Sequence, residues 1–356
     1  LESPGDEVAL SRLLHEIANT PLDFSKSPWR QYWIDGVLGG SAIVHHLHHC
    51  MGDGFALNNV LLSMTDPITP PAPVRSPLPE PAAPWPIQAF HLVRTAEEEA
   101  LALAHLLVLP FDPKTSLRGE LSGKRRIAWT RPFDLRQLHD GAHARGATVN
   151  DSVMSAIAGC LRRYFAERGE PAQRIRGVVP VNLRPPELPV NEELGNFFGL
   201  IFLELPVDAP DRDARALAVK REMDRIKSSK EAVVSLGIMN LLGRAPAAVD
   251  HVASELFSRK GTVVITNSPG PRAPVMIGGQ RIKDMFFFVP HPSLACGFSI
   301  SSYAGMLRVG VRTDAAIAPE PGKLAGALVE EMSAWTGDRQ ARVEFNAGGH
   351  QSRVQP

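Results

Sequence analysis

"VHHLHHCMGDGF", residues 44–55, sets four histidines within five positions and follows them with Asp53 between two glycines. The residues leading into it, "SAIVHHLHH", are rich in β-formers, and with "QYWIDGV" on the far side of "LGG" they predict a two-stranded hairpin. The cluster then falls at the C-terminal end of a strand. "CMGDGF" falls in the loop that follows, where glycine permits tight turns. Alternate side chains of a strand face opposite ways, which puts His46 and His48 on one face and His45, Leu47 and His49 on the other.

Three chemistries compete for this stretch. A zinc site needs three or four ligands at workable geometry. One isolated strand cannot gather all four imidazoles around an ion, and no HExxH motif or second His/Cys cluster supplies partners, so no metal is expected. Histidines packed inertly at a strand end are the plain reading, and it leaves Asp53-Gly54 unaccounted for. The third reading takes His48 to Gly54 as one catalytic unit, HHxxxDG. Imidazole titrates near neutral pH, the range a general base requires. His49, last before the loop, would face a cavity as the base, with His48 turned away to support the loop. Asp53 would shape the loop, held by an arginine; Arg184 is a candidate. Strand neighbours point apart, which argues against a nucleophilic Cys50-His49 pair.

Outward from the hairpin, "DEVALSRLLHEIA" predicts a helix over 6–18 and "FALNNVLLSM" a short one. Proline density from Pro67 to Pro86 excludes a central strand or helix interior, leaving an extended strap that sets a domain boundary. "AFHLVRTAEEEALALAHLLVL" then reads as a helix and "RRIAWTRPF" as a strand. "TVNDSVMSAIAGCLRRYFAERG" is the clearest helix, opened by a capping-box-like Thr148 and Asp151. Strands follow in "RIRGVVPVNL", "FFGLIFLELPV", "GTVVITNS", "RIKDMFFFVP", "CGFSISSYAG" and "MLRVGVRTD", and helices in "ARALAVKREMDRIKSS" and "GKLAGALVEEMSAW". This alternation predicts an α/β fold, with mixed α+β sheets under helical cover. Its divisions are 1–66, a linker with its connecting helix over 67–110, a larger domain over 111–338, and a tail over 339–356.

The chain has 356 residues, 44% of them hydrophobic, and its 38 Lys+Arg balance 38 Asp+Glu. That balance leaves no basic footprint for nucleic acid. Three scattered cysteines suggest neither a disulfide framework nor a thiolate metal site, and a cytoplasmic setting is expected. There is no P-loop, no GxGxxG after a strand and no GxSxG elbow to support nucleotide, dinucleotide or serine-esterase chemistry.

HHxxxDG resembles the signature of the condensation-domain and chloramphenicol-acetyltransferase-like superfamily of acyltransferases. Further stretches are similar to one branch, the bacterial wax ester synthase/diacylglycerol acyltransferase family. They are "PLDFSKSPWRQYWIDGV" (residues 21–37), "LSGKRRIAW", "ATVNDSVMSAIAGCLRRY" with Asn150-Asp151, "VPVNLRP", "LGNFFG", "TNSPGPRAPVMIGGQRI" and "SISSYAGMLRVGV". They occur in the family's order from residue 7 to about 335. Ser27-Pro28-Trp29 stands where the family has Pro-Leu-Trp.

The resemblance implies two chloramphenicol-acetyltransferase-like domains around a central tunnel. Members carry a further stretch before the matched region, so residues 1–66 are expected to be the remnant of a truncated N-terminal domain. It implies a long-chain O-acyltransferase with acyl-CoA as co-substrate, no bound cofactor, and a fatty alcohol or diacylglycerol as acceptor. His49 would be the base. Asn150 would orient it or donate to the oxyanion, although a plain helix N-cap explains that asparagine equally well. Asn267, with Pro269 and Gly270 behind it, would line the tunnel or form a structural turn. "MFFFVP" and "FFGLIFLEL" would line an acyl channel or serve as buried strands. Peripheral contact with a membrane or lipid inclusion fits the same reading. A carrier-protein thioester as donor, or silent lipid binding, remain alternatives.

Overall fold

The first helix, α1 (Glu7–Asn19), opens on Asp6, whose side chain accepts the Ala9 N–H at 2.8 Å. Its apolar residues Leu10, Leu14 and Ile17 follow helical spacing and are buried. They pack on one face of an antiparallel hairpin, β1 (Trp29–Val37) and β2 (Gly40–Leu47), through Ile34 and Val37. Leu38 and Gly39, both at positive φ, turn the hairpin. The computed structural model describes residues 5–67, 104, 106, 108–184, 195–242, 255, 256, 258–289 and 293–337. Most of the proline-rich strap, most of its connecting helix, and the tail from 338 lie outside them.

β2 ends at Leu47, which corrects the alternation drawn from sequence. His48 stands just beyond the strand and His49 opens a 3₁₀ turn, His49–Met51, so strand geometry does not decide where His49 points. α2 (Gly54–Leu62) follows, then β3 (Asp66–Pro67).

The larger part of the molecule is built on a seven-stranded mixed sheet. Its strands are β4 (Arg125–Trp129), β5 (Phe133–Asp134), β6 (Ile175–Asn182), β7 (Phe198–Leu205), β8 (Val263–Pro269), β11 (Cys296–Tyr303) and β12 (Met306–Asp314). The order is β4-β12-β11-β8-β6-β7, with β5 on β12; β8 runs parallel to both β6 and β11. Helices α3 (Leu135–His143), α4 (Val149–Ala166), α5 (Arg212–Lys227), α6 (Glu231–Leu242) and α7 (Pro321–Thr336) complete the layers. α4 is buried on nearly every side, and its capping box is closed: Thr148 Oγ1 accepts the Asp151 N–H and Asp151 Oδ2 accepts the Thr148 N–H. The sequence reading omitted α3 and α6. It also placed a strand in "RIKDMFFFVP", yet 282–289 forms none. That segment lies across the sheet instead: Phe286 and Phe288 pack on Trp129, and the Phe287 carbonyl accepts the Ser299 hydroxyl. β9 (Val275–Ile277) pairs with both β10 (Gln280–Arg281) and β3 in a small separate sheet.

β4 is an edge strand, and an open edge invites foreign pairing. α1 covers it. His15 Nε2 accepts the Ile127 N–H at 2.9 Å, and Asn19 takes the Arg125 N–H at 2.7 Å while donating to the Arg125 carbonyl. Burial, aided by the Arg126 charge, holds the His15 pKa below its ordinary 6.5. Its neutral form is therefore the folded one. The stability it contributes is present above pH 6.5 and is lost as pH falls through the lower folded-state value. Thermal unfolding followed from pH 7.5 to 5 is expected to show this loss, and His15→Gln, which cannot gain the charge, to flatten the curve.

Candidate active site

The loop after β2 is held by its own residues and by the large sheet. His48 Nδ1 accepts the Cys50 N–H at 3.2 Å, and the His48 ring stands edge-on to Phe24 at 4.9 Å between centroids. Both contacts make His48 a brace of the turn. Asp53 is buried and caps α2, with Oδ1 accepting the Ala56 N–H at 2.8 Å. Oδ2 accepts the Phe197 N–H at 2.9 Å, and the Asp53 N–H donates to the Gly195 carbonyl at 3.1 Å. Arg184 is buried too, with Nη2 4.0 Å from Asp53 Oδ2 and 3.3 Å from the Gly195 carbonyl, its guanidinium lying over the Phe197 ring. The carboxylate therefore joins the loop to residues 195–197 and faces a fixed cation. Neither of its oxygens is hydrogen-bonded to a histidine among the described residues.

His49 is half-buried, and neither of its ring nitrogens is hydrogen-bonded among the described residues. Its ring meets the Phe198 ring at 5.8 Å in a T-shaped contact, and its carbonyl accepts from Asn196 Nδ2 at 3.5 Å. Cys50 is exposed, and its backbone N–H, rather than its thiol, engages the neighbouring histidine. Gly54 is the first residue of α2; a Cβ there would meet nothing within 4 Å, so packing does not account for it.

Asn150 and Asn267, 117 positions apart, come together: Asn267 Nδ2 donates to Asn150 Oδ1 at 3.3 Å. Two expectations are corrected. Asn150 is not the helix N-cap, because Thr148 holds that position and Asn150 follows two residues later. Asn267 is not in a turn, because it pairs with Ile300 in the parallel ladder of β8 and β11. Pro269 ends that ladder opposite Ser302. Gly270 continues the approach, its N–H donating to the Ser302 carbonyl at 2.8 Å, where a Cβ would stand 2.6 Å from that oxygen. Neither asparagine is hydrogen-bonded to His49.

Residues 195–198 carry no individual signal in the sequence: "LGNFFG" stands out only through the family resemblance, and "FFGLIFLEL" only as an apolar run suited to a channel lining or a buried strand. Two surface recesses, of about 310 and 510 Å³, lie elsewhere, one beside Arg174 and Arg225 and the other between α1 and β1. Chemistry around an unengaged imidazole is the better guide here. Among the described residues no three His, Cys, Asp or Glu side chains converge as a metal site would need, and no helix is long and apolar enough to cross a membrane.

Residues 1–153 match the sequence profile of the wax ester synthase/diacylglycerol acyltransferase catalytic domain, and residues 194–335 that of the WS/DGAT C-terminal domain. A protein of Mycobacterium tuberculosis named "Probable diacylglycerol O-acyltransferase" is 27% identical over 361 residues, covering 94% of this chain and 76% of that protein. The solved wax ester synthase/diacylglycerol acyltransferase from Marinobacter aquaeolei VT8 superposes with a TM-score of 0.65 at 20% identity, covering 95% of this chain and 78% of that one. The starter condensation domain of rhizomide synthetase superposes at 0.54 with 16% identity, covering 94% and 75%. The mixed α/β fold is thus the one these acyltransferase-like and condensation domains share.

Proposed function

Because this chain belongs to the wax ester synthase/diacylglycerol acyltransferase family, we propose that it is an O-acyltransferase that moves a long-chain acyl group from acyl-CoA to a fatty alcohol or diacylglycerol. The observation that carries the mechanism is the His49 imidazole, open at both nitrogens on a loop clamped to the large sheet. His49 takes the proton of the acceptor hydroxyl as its oxygen attacks the thioester carbonyl. The tetrahedral intermediate collapses, the carbon–sulfur bond breaks, and the CoA thiolate regains a proton. Base catalysis of this kind contributes about 10²- to 10⁴-fold. Holding donor and acceptor together beside the imidazole, in the tunnel expected between the two parts of the chain, supplies much of the remainder.

Asn150 has its carbonyl oxygen engaged by Asn267, which leaves its amide N–H groups available as donors to the developing oxyanion. Acyl-CoA is a substrate in this scheme, and no cofactor is required. The lipid acceptor places the protein at a membrane or lipid-inclusion surface during turnover.

The donor is tested by offering palmitoyl-CoA and a carrier-protein-bound palmitoyl thioester with the same acceptors. Turnover of free palmitoyl-CoA supports the proposal. Turnover of the carrier-bound thioester alone replaces it with a condensation-type donor, and lipid binding without turnover of either replaces it with silent lipid binding.

A further inference from the structure

A histidine base needs its ring aimed, and acyl-transfer sites commonly do this with a carboxylate on the second nitrogen. Among the described residues no carboxylate is hydrogen-bonded to the His49 ring. The nearest acid in sequence, Asp53, has both oxygens occupied by the Ala56 and Phe197 amides, with Arg184 beside them. No other side chain hydrogen-bonds the His49 ring among the described residues. The contact the ring does make is with Phe198, centroid to centroid 5.8 Å at an interplanar angle of 68°.

Phe198 is well placed to hold a ring still. It begins β7, paired with Asn182 of β6. The next residues are locked: a Cβ on Gly199 would stand 1.8 Å from the Ala232 carbonyl, and the Leu200 N–H donates to Ser235 Oγ at 2.6 Å, so α6 seats directly on the strand. Phe197, on the other side, is tied to Asp53 through its N–H. Yet, among the described residues, Phe198 belongs to none of the three hydrophobic clusters, although Ile201, Phe202 and Leu203 of the same strand do. Its ring is turned from the core towards the imidazole.

We propose that Phe198 is the positioning residue of the site: its aromatic ring, carried on the rigid start of β7, sets the orientation of His49 in place of a carboxylate. The inference rests on His49 being the base. It leaves both imidazole nitrogens without a hydrogen-bond partner among the described residues, which a carboxylate partner would not.

The test compares Phe198→Leu and Phe198→Met, which keep apolar bulk without a ring, with Phe198→Tyr, which keeps the ring. His49→Ala is run in the same series, with thermal unfolding measured for each. T-shaped contacts of ordinary strength predict that Leu and Met lower kcat about three- to tenfold, while KM for palmitoyl-CoA stays within about twofold. Tyr is expected to hold kcat within about twofold of wild type. A purely structural role predicts the reverse, with Leu and Met tolerated and any loss following the unfolding temperature. If His49→Ala abolishes turnover while Leu and Met keep wild-type kcat, the positioning role is overturned and the base stands. If His49→Ala keeps wild-type kcat, the base assignment falls and the positioning role falls with it. Should the Leu variant not fold, the Met and Tyr variants decide by the same comparison.

Discussion

His49→Ala lowers acceptor-dependent CoA release by about 10²- to 10⁴-fold while leaving the fold intact, because the imidazole contributes to the reaction and little to the structure. Its ring is half-buried and makes no hydrogen bond among the described residues, so truncation strands no buried partner. The loss belongs in kcat. An interaction made only as the proton moves lowers kcat and kcat/KM together and leaves acyl-CoA binding unchanged. Residual turnover comes from the two substrates still held side by side. Steady-state kinetics on a variant with an unchanged far-UV spectrum and unfolding temperature checks this. A rise in KM with kcat intact would assign His49 to binding instead.

Asp53→Ala acts the other way, on stability first. The substitution removes a helix cap, a bond to the Phe197 amide and the carboxylate that faces Arg184, whose side chain is only 2% exposed. A lost cap costs about 1 kcal/mol, and breaking a buried ion pair from one side about 3–5 kcal/mol. Arg184 keeps its bond to the Gly195 carbonyl, which favours the lower end for the pair. A total of about 3–5 kcal/mol is expected, enough to unfold much of a marginally stable chain. Asp53→Asn retains an acceptor for the Ala56 amide but turns its amide group towards the Phe197 N–H, donor against donor, and should fall between. Urea unfolding measures both. An Asp53→Ala protein of wild-type stability and low activity would mean that the carboxylate takes part in the chemistry.

The two substitutions separate what the local pattern revealed from what it did not. HHxxxDG suggests a histidine base and a structural aspartate, and the hydrogen bonds of Asp53 to the Ala56 and Phe197 amides give it a structural place. Helix α4 was legible because Thr148, Asp151 and the apolar run after them are neighbours in sequence. Strand alternation, by contrast, could not place His49, because the strand stops at Leu47 and His48 turns the chain by capping Cys50. "MFFFVP" has the composition of a strand but lies across the sheet, with Phe286 and Phe288 on Trp129, and no composition reports the absence of a pairing partner.

The long-range joins were the least visible. Asp53 meets Phe197 across 144 positions, and His15 meets Ile127 across 112. Asn150 lies in the first turn of α4, behind the Thr148 cap, and its partner Asn267 stands on β8, 117 positions away. Phe198 looked like one more core aromatic in an apolar run. Only the packing shows that its ring leaves the core for the imidazole.

The most direct test of the account is thiol release from palmitoyl-CoA by the intact chain, with hexadecanol or a diacylglycerol as acceptor and the lipid product identified by mass spectrometry. The expected result is CoA release that depends on the acceptor, with hexadecyl palmitate or a triacylglycerol formed in equal amount. CoA release that is indifferent to the acceptor and yields free palmitate, or no release from the folded protein, would contradict it.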